Sequence, residues 1–488
     1  MQKFKNYING DFVNSKTGKS FTSIDPSNEK EFAEISLAEE FEVNTAVEAA
    51  YNAFHGEWSK ILPSKRAQYL RAIGDQLKHN AELLGTIETK DTGKLFKETK
   101  FQANYIAEYY YYYAGLVDKI EGATLPIDKE DMQVFTTRVP VGVIAAIIPW
   151  NSQMFLTAVK LAPALAMGNT IVIKASEIAP TPLLEFAKII DKAGLPKGVV
   201  NILTGYADTC SKLLTSHPKI NKIAFTGGVH TAKHIVKNSA ENLSRVSLEL
   251  GGKAPNIVFE DANIDSCLEA NLRGGFFNQG ENCTAVTRLI VHESIIDEFT
   301  EKYLKKISKI KQGMPDDMKT EIGALISKNH FDKVQNYVEE GIKDGGELLC
   351  GGKSCPNLDG YFFEPTVIRI RNTENILFRD EVFGPVVSLI PFKEQEEAIF
   401  LANKTDYGLA GGIWTNNINR ALKVAKNIDA GYLWVNTYGG IIPETPYGGF
   451  KQSGTGKELG EEGLEEYLRT KNISIFMGDS IPKWYGDN

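Results

Sequence analysis

Val141-Gly142-Val143-Ile144-Ala145-Ala146-Ile147-Ile148-Pro149-Trp150-Asn151 decides the fold. The run is apolar and rich in β-branched residues, and it stops at a proline followed by a polar amide. That pattern predicts a buried strand over 141–148. The next segment has helical spacing over 155–167 and ends at Gly168-Asn169. A strand over 170–174, a helix over 182–193 ended by Gly194, and strands over 199–203 and 222–225 follow. A helix near 231–238 and a strand over 246–250 complete the series. Short β-branched strands alternating with helices predict a parallel sheet covered on both faces.

Upstream, residues 1–35 read as short strands, with Asn9-Gly10 as a hairpin signal. From about 40 to 117 the periodicity is helical. Within it lies a run of tyrosines, Tyr109 to Tyr113, read as packing between helices or at a subunit contact, with a substrate-channel wall as the sharper alternative. Residues 118–140 break the pattern with Gly122, Pro126 and Pro140 and look like an extended excursion. Beyond Gly251 a second α/β rhythm sets in, with helices over 295–310 and 328–344 and strands ending near 435. Strand-like alternation returns at 472–476. The fold class is therefore α/β, with two α/β domains and a small excursion built from two separated segments.

The chain has 488 residues, 42% of them hydrophobic, with a formal net charge of −8. No basic run suits nucleic acid or an anionic membrane surface. The most apolar run, 141–150, falls well short of the roughly 20 residues that span a bilayer, and the N-terminus lacks the apolar core of a signal peptide. Five scattered cysteines without a CxxC pair fit a reduced, cytoplasmic protein and not a disulfide framework.

A doubly wound sheet offers its ligand crevice at the carboxyl ends of its strands. Those ends carry Ile148-Pro149-Trp150-Asn151, Lys174-Ala175-Ser176-Glu177, Phe225-Thr226-Gly227-Gly228 and Glu249-Leu250-Gly251-Gly252. Gly227-Gly228 before a helix suits a pyrophosphate or a plain tight turn. Lys174 and Glu177 suit ribose hydroxyls or a solvated helix entry. Asn151 suits a developing oxyanion or a strand-end cap. Gly352-Lys353-Ser354 fails as a phosphate loop because Glu347 holds the required first-glycine position. Further on, Cys283 follows Asn278-Gln279-Gly280-Glu281-Asn282. A thiol titrates near ~8.5 and needs an electropositive setting to be a nucleophile, and a carboxylate such as Glu249 supplies a base.

These motifs together resemble the aldehyde dehydrogenase superfamily along essentially the whole chain. The resemblance also rests on Leu248-Glu249-Leu250-Gly251-Gly252-Lys253, Glu381-Val382-Phe383-Gly384-Pro385 and Pro446-Tyr447-Gly448-Gly449-Phe450-Lys451. It implies a doubly wound parallel-sheet dinucleotide-binding domain over 1–117 and 141–250, an α/β catalytic domain over 251–467, and an oligomerisation arm over 118–140 and 468–488. It implies Cys283 as nucleophile, Glu249 as general base, and Asn151 with the Cys283 backbone N–H as oxyanion hole. Ile148, Pro149, Trp150, Lys174, Ser176, Glu177, Gly227, Gly228, Glu381 and Phe383 would hold the cofactor. Lys160 and Glu458 match a proton path from the base. The expected reaction oxidises an aldehyde to the acid with NAD, in a homodimer or homotetramer, without a metal.

Departures from the family pattern shape the expectation. Gly228 takes a place often held by serine and Ala232 one often held by glycine. Glu177 would repel a 2′-phosphate and so favours NAD, while Lys174 softens that preference and leaves NADP open. Ser152-Gln153 replaces an aromatic-proline pair, and with Ser152, Ile441 and Tyr447 the substrate pocket is less aromatic and more polar than in simple alkanal oxidisers. A coenzyme-A-acylating relative would lack Glu249. A cysteine hydrolase would need a histidine beside Cys283, and none of the seven histidines stands in a local motif there. A scaffold protein on the same fold would be expected to lose Cys283, Glu249 or Asn151.

Overall fold

A computed structural model describes residues 1–481 and 484–486, so residues 482–483 and 487–488 of the expected arm lie outside the described residues. Its first sheet has eight strands. In spatial order they are Gly454–Thr455, Arg245–Glu249, Lys222–Thr226, Val143–Ile147, Thr170–Ala175, Val200–Thr204, Asn6–Ile8 and Asp11–Val13. The five from Arg245–Glu249 to Val200–Thr204 are mutually parallel, and the flanking strands add antiparallel.

Side-chain alternation explains why these strands read as continuous apolar runs. Ile144, Ala146, Ile171 and Ile173 pack into one core, while Val143, Ala145, Ile147, Val172 and Phe225 pack into another on the opposite face. Both faces are buried, so neither position of the period-two repeat can be polar. Helix Gln153–Ala166 is buried along almost its whole length. Helix Glu40–His55 buries Val43, Ala46, Val47 and Ala50.

Chain order runs outward from Val143–Ile147 in two directions. Thr170–Ala175 and Val200–Thr204 lie on one side, and Lys222–Thr226 and Arg245–Glu249 on the other. The winding therefore reverses between Val143–Ile147 and Lys222–Thr226, which opens a crevice at their carboxyl ends.

A second sheet of seven strands runs Glu347–Cys350, Thr366–Arg369, Val386–Phe392, Val286–His292, Ala254–Val258, Ala410–Trp414 and Tyr432–Val435. Only its first pair is antiparallel. A third sheet joins Leu468–Phe476 to Met132–Pro140 and Thr124–Leu125, so the two separated excursion segments pair with each other. At the N-terminus, Asn9 and Gly10 both take left-handed backbone conformations (φ 52° and 80°), the geometry of a tight hairpin turn. Among the described residues no helix is long and apolar enough to cross a membrane.

Candidate active site

A cavity of about 290 Å³ opens at the reversal point. Three strand ends of the first sheet reach it: Pro149, Trp150, Asn151 and Ser152 after one, Thr226, Gly227 and Gly228 after the next, and Glu249, Leu250 and Gly251 after the third. In-register pairing of Thr226 with Glu249 sets the last two ends side by side. Cys283 faces the same cavity from the second half of the chain, with Asn282, Glu381, Phe383, Ile441, Tyr447 and Glu458.

The turn that presents Cys283 is over-determined. Asn278, Gln279 and Gly280 are consecutively left-handed (φ 53°, 53° and 73°). Such conformations cost about 1–3 kcal/mol per non-glycine residue and persist only where the surroundings enforce them. Here Asn278 Nδ2 donates to the carbonyls of Asn151 (3.2 Å) and Glu281 (2.9 Å), and Gln279 Nε2 donates to that of Ala324 (3.1 Å). The Glu281 carboxylate accepts the Ile326 N–H at 2.9 Å. Gly280 has no alternative, because a Cβ there would lie 2.2 Å from the Gly384 carbonyl oxygen. The three-residue turn thus welds the Cys283 segment to the segment that ends the first sheet's central strand.

The protein side chains that act on the thiol are two carboxylates and a hydroxyl. Cys283 is half-buried, and burial pushes its thiol up to about 12. The Glu381 and Glu249 carboxylates push the same way, while the Tyr447 hydroxyl opposes them. Glu249 is 4% exposed, and neither carboxylate oxygen receives a hydrogen bond from a described protein group. Desolvation, then repulsion from Glu458, holds its carboxyl well above the usual range. Burial raises Glu381 to about 7 although the Gly252 N–H donates to it at 2.9 Å.

Asn151 Nδ2 donates to the Glu281 carbonyl at 3.1 Å, which leaves its second N–H for another acceptor. Lys160 is fully buried behind the cavity, donating to Thr226 Oγ1 at 2.7 Å and pairing with Glu458.

The expected residues do not all meet. Lys174, Ser176 and Glu177 stand at the neighbouring strand end and do not line the Cys283 cavity; Lys174 and Glu177 form an ion pair with each other. Ile148 is buried beneath the cavity floor, its N–H bonded to the Lys174 carbonyl at 3.0 Å.

Conversely, the cavity includes residues that strand-end reasoning missed. His330 and Lys333 reach it from helix Lys328–Lys343. Their i, i+3 spacing puts both on one helix face. Burial lowers His330 to about 4, and its Nε2 lies 2.7 Å from the Phe383 carbonyl oxygen, so the neutral ring donates there. Phe155, Leu156 and Val159 line the wall from helix Gln153–Ala166, and Leu459 adds to it. The tyrosine run packs between helices, and its first member also backs the wall. Tyr109 meets Phe155 edge-on at 5.4 Å and donates to the Ile441 carbonyl at 2.9 Å.

The chain matches the family model described as the Aldehyde dehydrogenase family over residues 12–473. It is 47% identical over 481 residues to a (Z)-2-((N-methylformamido)methylene)-5-hydroxybutyrolactone dehydrogenase of Acinetobacter baylyi, covering 98% of each chain. It is 40% identical to retinaldehyde dehydrogenase 3 of Homo sapiens, covering 98% of this chain and 94% of that one. Among solved structures, betaine aldehyde dehydrogenase from Staphylococcus aureus in complex with NAD+ superposes with a TM-score of 0.97 at 37% identity, over 99% of this chain and 97% of that one. An NAD+ complex of an aldehyde dehydrogenase from Bacillus cereus gives 0.96 at 37% identity, over 98% and 97%.

Proposed function

The chain belongs to the aldehyde dehydrogenase family, and from that premise we propose that it oxidises an aldehyde to the carboxylic acid through a thioester on Cys283 that Glu249-activated water hydrolyses. The observation that carries the reading is one cavity lined by a thiol, a buried unpartnered carboxylate and a strand-end amide.

An aldehyde does not readily release hydride, because the product would be an acylium-like carbon. Addition of the Cys283 thiolate forms a carbon–sulfur bond and moves the carbonyl π pair onto oxygen. The free Asn151 N–H and the Cys283 backbone N–H stabilise that oxyanion. NAD, when bound, accepts the hydride. The residues fit such a group. A Cβ at Gly228 would meet nothing within 4 Å, so the start of helix Val229–Ser239 is open to a phosphate on its free N–H groups. Lys174 and Glu177 would hold the adenosine ribose, and Glu381 and Phe383 the nicotinamide ribose. Glu177 would disfavour a 2′-phosphate, so NAD is preferred over NADP.

Glu249 then takes a proton from water, hydroxide adds to the thioester carbon, and the thiolate leaves. Its raised proton affinity suits a base, and the buried Glu458–Lys160–Thr226 chain carries the proton onward. The apolar wall of Phe155, Leu156, Val159, Ile441 and Leu459, set with the Ser152 and Tyr447 hydroxyls, suits an aldehyde with an apolar body and a hydrogen-bonding oxygen. The name of the Acinetobacter baylyi relative carries a substrate with such an oxygen, a hydroxybutyrolactone. The sheet formed by 124–125, 132–140 and 468–476 would join subunits of a homodimer or homotetramer.

The test is spectrophotometric. Protein, NAD and a panel of aldehydes should give reduced cofactor at a rate independent of added coenzyme A. Turnover only with coenzyme A would make the enzyme an acylating one, and no turnover with any aldehyde would refute the proposal.

A further inference from the structure

We propose that Tyr447 is a further catalytic residue, whose hydroxyl donates a hydrogen bond to the Cys283 sulfur and stabilises the attacking thiolate. This rests on Cys283 being the nucleophile.

Tyr447 Oη lies 3.7 Å from Cys283 Sγ, within reach of a hydrogen bond to sulfur. The residue is buried and its backbone is clamped from both sides: its N–H donates to the Glu458 carbonyl and its carbonyl accepts the Glu458 N–H, each at 2.7 Å. Its ring packs 5.8 Å from that of Tyr432. The hydroxyl is therefore delivered from a fixed frame. The next residue, Gly448, lets the same segment approach the base, since a Cβ there would sit 3.1 Å from Glu249 Oε1. The Tyr447-Gly448 segment thus meets the thiol through the Tyr447 hydroxyl and the carboxylate through Gly448.

The surrounding charges give the hydroxyl its importance. Glu249, from the strand Arg245–Glu249, and Glu381, before the strand Val386–Phe392, both disfavour a thiolate. Glu458 lines the cavity but is paired with Lys160. Lys333 lines it from helix Lys328–Lys343 and acts on Glu381, while His330 on the same helix is neutral. Tyr438, from the loop after Tyr432–Val435, is buried with its hydroxyl committed to the Thr284 carbonyl at 2.9 Å. What favours the thiolate is the Tyr447 O–H and the Cys283 backbone N–H. Burial raises the Tyr447 phenol well above 10, so it stays a donor across the working pH range.

Tyr447→Phe removes the hydroxyl and keeps the ring. The readout is the rate at which iodoacetamide alkylates Cys283, followed by peptide mass against pH. Thiolate forms the carbon–sulfur bond and iodide leaves, so neither an aldehyde nor NAD is needed. A hydrogen bond to a charged group is strong enough to move the midpoint by about one unit, so Tyr447→Phe should shift it upward by that amount and slow alkylation at neutral pH about tenfold. Superimposable profiles would overturn the proposal. So would a slowing matched by a lowered thermal unfolding midpoint, the mark of a merely structural role. An aldehyde panel without turnover would sink the dehydrogenase reading while leaving this profile intact, so the two failures are separable.

Discussion

Two strand ends of the first sheet, with two strands between them, treat their carboxylates in opposite ways. After Thr170–Ala175, Glu177 is partly exposed and neutralised by Lys174, and the Ser176 hydroxyl accepts the Ile178 N–H at 3.3 Å. At the end of Arg245–Glu249, Glu249 is buried, and neither of its oxygens has a partner among the described residues. Leaving a buried polar group unsatisfied costs about 1–3 kcal/mol, and more for a charge. A fold tolerates that cost where the group acts on something other than the protein. The paired end has the character of a binding surface and the unpaired end that of a reactive one.

If that contrast holds, substitutions on the unpaired side should cost far more rate than those on the paired side. Cys283→Ala should have the largest effect, lowering steady-state oxidation by at least about 10⁴-fold, as loss of a covalent nucleophile does. Asn151→Ala should follow, with kcat down about 10²–10³-fold. The Glu281 carbonyl keeps its bond from Asn278, so the turn stays seated and the loss reports the oxyanion donor. On the paired side, Glu177→Ala should leave kcat nearly unchanged. It should raise the KM for NAD about tenfold, the loss of one charge-assisted hydrogen bond, and narrow the NAD/NADP ratio. A kcat drop in Glu177→Ala as large as that in Asn151→Ala would erase the distinction.

The same contrast shows what was legible in the sequence. Strands buried on both faces announce themselves as β-branched runs, and a doubly wound sheet opens its crevice at their ends, so the place of Asn151 and Glu249 in the cavity lining is legible by position. That two separated segments build one excursion is legible from the broken pattern, but the register of 132–140 against 468–476 is not, because register between distant segments is set by tertiary packing. His330 and Lys333 lie on a helix whose polar face looks like any solvated one. Only the crevice geometry turns that face inward. Nor does the sequence show that the Glu381 and Glu249 carboxylates both act on Cys283. That depends on how the Glu381 segment and the Tyr447 loop close around the thiol.

The central claim, one site in which Cys283 forms a thioester and Glu249 resolves it, is tested most directly by rapid mixing of Glu249→Gln with NAD and an aldehyde that the wild type oxidises. The account predicts a burst of about one equivalent of reduced cofactor per site, followed by turnover slowed about 10²–10⁴-fold for want of the base. A steady rate equal to the wild type, with no burst, would contradict it.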